Sequence, residues 1–167
     1  MESMFENRHV SDKQMYKDLY RYVFFLRKPV IVCYAVLFFG LIVDVIEWIY
    51  AKESFELTGM FLVPLFFLFM ILRYNYVVNT TVKRNIELHG KEVSVKTDVY
   101  NDYFQITSST GSVFKIDFNN IKKVMQTKKL ILLMSKEKQI FVLSKDGFTK
   151  GTPQEFLAFL KRKGYRI

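Results

Sequence analysis

The sequence predicts an α+β fold in which a helical hairpin precedes a small, strongly bent antiparallel sheet or barrel. Two apolar runs of helical length stand in the first half, at residues 29–50 and 57–78. From about Glu92 they give way to short segments that alternate apolar and polar residues. One capped amphipathic segment, beginning at Pro153, ends the chain.

The first run reads "PVIVCYAVLFFGLIVDVIEWIY" and the second "LTGMFLVPLFFLFMILRYNYVV". At about 1.5 Å per residue, each is long enough to cross about 30 Å of hydrocarbon. The short polar link "AKESFE" between them requires a transmembrane hairpin, residues 29–78. Neither run has the cleavage site of a signal peptide. Arg21, Arg27 and Lys28 precede the first span, and Arg73, Lys83 and Arg84 end or follow the second. The positive-inside rule therefore puts both termini in the cytoplasm and the link outside. Trp48 and Tyr50 fit the outer aromatic belt, Tyr74 and Tyr76 the inner one. Pro64 marks a kink of the kind membrane helices tolerate.

Residues 1–28 are expected to be a cytoplasmic juxtamembrane amphipathic helix. Ser11 with Gln14 reads as a capping box, and Met15, Leu19 and Tyr22 recur at helical spacing. A cytoplasmic extension of the first span fits the same pattern.

Residues 79–167 form the expected cytoplasmic domain. "NTTVKRNIELHG" continues the second helix, and Gly90 is placed to stop it. Six strand-like segments follow: "VSVKTDV", "YFQITS", "VFKIDF", "VMQT", "LILLM" and "QIFVL". Thr152, Pro153 and Glu155 form a helix start, Phe156 and Leu160 an apolar stripe, and Gly164 a stop. A bent sheet plugged by one helix is the pleckstrin-homology (PH) type of architecture; another α+β meander shares the same periodicity.

The stretch from Phe118 to Gly164, with "NNIKKV" before a hairpin and Ser144 to Phe148 before the last helix, resembles the YcxB-like family of small bacterial membrane proteins. Lys145, Gly147 and Phe148 are its motif residues here, and "VYND" resembles the family's aromatic-acidic turn. The resemblance implies a PH-like domain behind a two-span hairpin in the bacterial cytoplasmic membrane. It carries no catalytic residues.

The formal charge is +9. Residues 79–167 hold 17 bases and 8 acids, so the tail supplies the excess. Cys33 is the sole cysteine and lies in the first span, which excludes an intrachain disulfide; it reads as a small core residue. Nucleophile-elbow, Walker, zinc-helix and EF-hand signatures are missing. A non-enzymatic role without catalytic residues, cofactor or metal is expected. Lys122, Lys123, Lys128 and Lys129 are the candidate surface for anionic headgroups or a protein partner, since short strands and a turn should bring them together. Nucleic acid is not an expected partner, because no recognised binding module is present. Asp44 and Glu47 are intramembrane carboxylates sharing a helix face. Asp44 is expected to face the second helix, near Thr58 and Gly59, or another copy of the chain. An alternative function, protection against membrane-active peptides such as bacteriocins, would use these carboxylates.

Overall fold

A computed structural model describes residues 2–26, 28–51, 57–90 and 92–166, with side chains omitted at 26, 28–29, 51 and 57–62. The chain divides into two units, one of Met1–Asp18 with Val82–Ile167 and one of Leu19–Thr81. The domain is therefore discontinuous in sequence.

The first unit contains eight strands and the C-terminal helix. In order the strands are β1 (Phe5–Val10), β2 (Ser94–Val99), β3 (Tyr103–Ser108), β4 (Val113–Asp117), β5 (Ile121–Gln126), β6 (Leu130–Ser135), β7 (Ile140–Ser144) and β8 (Phe148–Lys150). They form a five-stranded sheet ordered β4-β3-β2-β1-β8 and a three-stranded sheet ordered β5-β6-β7. All pairings are antiparallel. No closed barrel forms among the described residues: each sheet ends on strands with a single neighbour.

The six expected strands appear as β2 to β7, but β1 and β8 were not expected. The assignment of residues 1–28 to one helix thus misses β1, which lies between β2 and β8. Its inward positions are Phe5, Asn7 and His9, so two of the three are polar and the usual apolar alternation is absent. The helix that follows, α1 (Lys13–Arg21), is capped by Asp12 and not Ser11. Asp12 Oδ1 accepts from Met15 N–H at 2.7 Å.

The two sheets and α4 (Pro153–Arg162) share one core. Val99 and Phe104 come from the larger sheet, Ile131, Leu133 and Leu143 from the smaller, and Phe156 and Leu160 from α4. Leu130 to Leu133 are all buried, as expected of a central strand covered on both faces. The helix begins as expected: Thr152 and Glu155 form a complete capping box, with Pro153 in the first turn. It ends at Gly164 (φ +91°), where Tyr165 N–H donates to Leu160 O and Gly164 N–H to Lys161 O. That is a Schellman ending, and Gly relieves the left-handed backbone cost.

The second unit holds most of the apolar helix. A π-helical stretch, Tyr22–Leu26, leads into α2 (Lys28–Ala51). Helix α3 (Leu57–His89) contains Pro64 and runs on without a break from the expected span to Gly90, whose N–H donates to Ile86 O. Val30–Tyr50 and Val63–His89 are long and apolar enough to cross a membrane. Tyr34 stacks on Phe67 at 5.1 Å, and Phe25 meets Tyr74 edge-on at 5.6 Å, so aromatic contacts join α2 and its leading turn to α3. The link at 52–56 and Arg27 lie outside the described residues.

Gly151 and Gly111 both have positive φ, +74° and +88°. A Cβ at Gly151 would collide with the Phe5 ring, whereas one at Gly111 meets nothing within 4 Å. Gly111→Ala should cost about 1 kcal/mol from backbone strain alone, and Gly151→Ala about 2–3 kcal/mol. Denaturant titration of the two purified full-length variants checks the difference; equal losses would show that Phe5 does not press on Gly151.

Candidate functional site

The four candidate lysines are not brought together. Lys122 and Lys123 are exposed on β5, beside a register irregularity between Ile121 and Lys123. Lys128 and Lys129 sit in the turn beyond the other end of β5, where Thr127 Oγ1 accepts from Leu130 N–H at 2.9 Å. Lys122 stands near the start of β5 and Lys128 beyond its end, so the strand to Gln126, about 13 Å at about 3.3 Å per residue, lies between them. Lys129 is further occupied by Asp18, with Nζ 3.9 Å from Oδ2. The β6–β7 turn instead supplies company for Lys122 and Lys123. Lys136 N–H donates to Asn120 O at 2.8 Å, which places exposed Lys136 and Lys138 at that same end of the sheet.

Lys145 and Gly147 form a single 3-10 turn before β8. A Cβ on Gly147 would strike the Arg8 carbonyl oxygen of β1, so the position has room only for glycine. Lys145 N–H donates to Lys129 O, and its Nζ to Gln126 Oε1 at 3.3 Å. Phe148 packs on the core with its ring 5.7 Å from Phe156. The motif residues therefore build a turn and a β1 contact; they bring no nucleophile to a base.

Beside this turn lies a cleft of about 320 Å³ lined by Arg8, His9, Asp12, Asp18, Lys129 and Asp146, among others. Burial pushes the His9 pKa down, and the nearby Asp12 carboxylate opposes the shift. His9 Nδ1 is buried without a hydrogen-bond partner. No cluster of metal-ligating side chains occurs among the described residues. The residues around His9 carry no apolar alternation, so its inward position on a strand is not legible in the sequence.

A second groove, about 270 Å³, lies between β4 and the β6–β7 turn. Phe114, Ile116 and Phe141 line it, with Lys115, Lys136 and Glu137 at the rim.

Asp44, Glu47 and Cys33 are all exposed on α2. Cys33 is therefore not a core residue of this chain. The expected partners of Asp44 at the start of the second helix, Thr58 and Gly59, lie outside the residues whose surroundings are described.

Residues 99–160 match the family model described as YcxB-like protein. The match runs from the last residue of β2 through Leu160 of α4, and it is the family that the sequence resembles. It leaves out β1 and both long apolar helices. No curated protein and no solved structure matches the chain.

His9 has a sign-definite consequence. Its folded pKa lies below the ordinary value of 6.5, so the unfolded chain binds the proton more readily. Stability from this group is therefore full at neutral pH and is lost as pH falls below about 6.5. Denaturation at about pH 7.5 and about pH 5.5 should show the wild-type protein losing more stability on acidification than His9→Gln. Identical losses would mean that His9 is solvated in the folded state.

Proposed function

We propose that the protein is a non-enzymatic multi-pass membrane protein of a bacterial cytoplasmic membrane, holding a PH-like binding domain against the anionic inner leaflet. One observation carries the anchoring. The Val30–Tyr50 segment has a mean hydropathy of 2.4 and none of it is buried by the rest of the chain, so lipid is the solvent that suits it.

Sheet pairing supports the topology. β1 precedes the hairpin and β2 follows it, yet they pair over six residue pairs from Phe5–Val99 to Val10–Ser94. Two strands of one sheet occupy one side of a bilayer, so the hairpin crosses an even number of times. Basic flanks on both sides of the hairpin support the cytoplasm as that side. Lys122, Lys123, Lys136 and Lys138 share one end of the smaller sheet and contact headgroups, each contributing about 1 kcal/mol near an anionic surface. The exposed Asp44 and Glu47 favour a second reading, protection against membrane-active peptides, in which Asp44→Asn abolishes protection without loss of assembly.

A Cys33→Ser, Ser54→Cys chain tests the topology. Impermeant maleimide should label it in intact cells; labelling only after permeabilisation contradicts the reading. In nanodiscs, amide exchange around Lys122 and Lys123 should slow with phosphatidylglycerol and not with phosphatidylcholine, and added salt should abolish the difference. Equal exchange in both lipids would remove the leaflet contact.

A further inference from the structure

The geometry points to a peptide-docking edge: strand β4 and the groove beside it accept an extended acidic segment of a partner protein as an added strand. This goes beyond the leaflet contact.

Strand β4 ends the five-stranded sheet, and β3 is its sole neighbour. Ser108 N–H donates to Ser112 O, and Phe118 N–H donates to Asp102 O, one at each end of the β3–β4 pair. Ladder bonds alternate in an antiparallel pair, so Phe114 and Ile116 spend their backbone groups on β3. The N–H and C=O groups of Val113, Lys115 and Asp117 then point to the open edge. An added strand would satisfy them.

Side chains beside that edge also lack cover. Phe114 is 59% exposed and Val113 56% exposed, unusual for a phenylalanine and a valine in a strand. Phe114 and Ile116 line the groove with Phe141 across it, which gives alternate residues of an added strand an apolar slot.

Charge selects the occupant. Lys115 and Lys136 stand on the rim, and exposed Lys122, Lys123 and Lys138 lie on the adjoining strand and turn. These lysines outnumber the acids Asp117 and Glu137. A second copy of the chain is disfavoured, because antiparallel β4–β4 pairing centred on Lys115 sets lysine directly opposite lysine. A partner segment alternating Glu or Asp with apolar residues satisfies edge, slot and rim together.

The test uses the full-length protein in neutral dodecylmaltoside micelles, with a labelled peptide of about eight residues alternating Glu with Val and Phe. Fluorescence anisotropy should show binding, with the Lys-for-Glu counterpart binding at least about tenfold more weakly. Lys115→Glu with Lys136→Glu should weaken the acidic peptide about tenfold or more. Val113→Pro should also weaken it, since proline removes only an edge-facing donor and spares the β3 ladder. Bound peptide should slow amide exchange at Val113 and Lys115. Equal binding of both peptides, or indifference to both variants, overturns the proposal. So does a result in which phosphatidylglycerol nanodiscs protect these amides and the peptide does not, since the edge would then be a lipid contact.

Discussion

The fold depends on Asn7. Its side chain is fully buried on β1, where Nδ2 donates to Ser144 O at 2.6 Å and Oδ1 accepts from Ser144 N–H at 3.3 Å. One amide thereby reads both backbone groups of the last residue of β7 and ties the larger sheet to the smaller. An apolar residue there would leave a buried donor and acceptor unpaired, at about 1–3 kcal/mol each. Gly147 completes the junction, since only a residue without Cβ lets the turn approach the Arg8 carbonyl. The glycine before β8 is thus explained by a strand distant in sequence.

That junction has a topological consequence. By entering the sheet, β1 makes the residues before the apolar hairpin part of the same domain as the residues after it. The hairpin becomes an insertion in a β domain, where the sequence suggests an anchor followed by a domain. Both ends of the insertion therefore connect to strands of one sheet, β1 before it and β2 after it.

Much of this architecture is legible in residues. Alternation marks most of β2 to β7, an unbroken apolar run marks β6, Gly90 and Gly164 mark helix ends, and Thr152 with Glu155 marks the start of α4. These are local signals, set by period, caps and backbone freedom. β1 escapes because its inward face carries Asn7 and His9, whose role is set by residues more than eighty positions away. β8 escapes because three residues are too few for a period. The four-lysine surface fails for a different reason. Nearness in sequence suggests a patch, but a strand is extended, so Lys122 and Lys128 stand at its two ends. The open edge of β4 is likewise invisible in sequence, since strand order decides which strand lies outermost.

The whole arrangement rests on β1 pairing with β2 across the inserted hairpin. Ser11 N–H donates to Val93 O, so Arg8 and Lys96, three registers along, form a non-hydrogen-bonded pair. Their Cα atoms should be about 4.5 Å apart, within reach of a disulfide. The direct measurement is oxidative cross-linking of Arg8→Cys with Lys96→Cys in a Cys33→Ser chain, in native membranes, read on a non-reducing gel. A rapid intramolecular disulfide that neither single variant forms is the expected result. Two thiols that stay free and label from opposite sides of the membrane would contradict it.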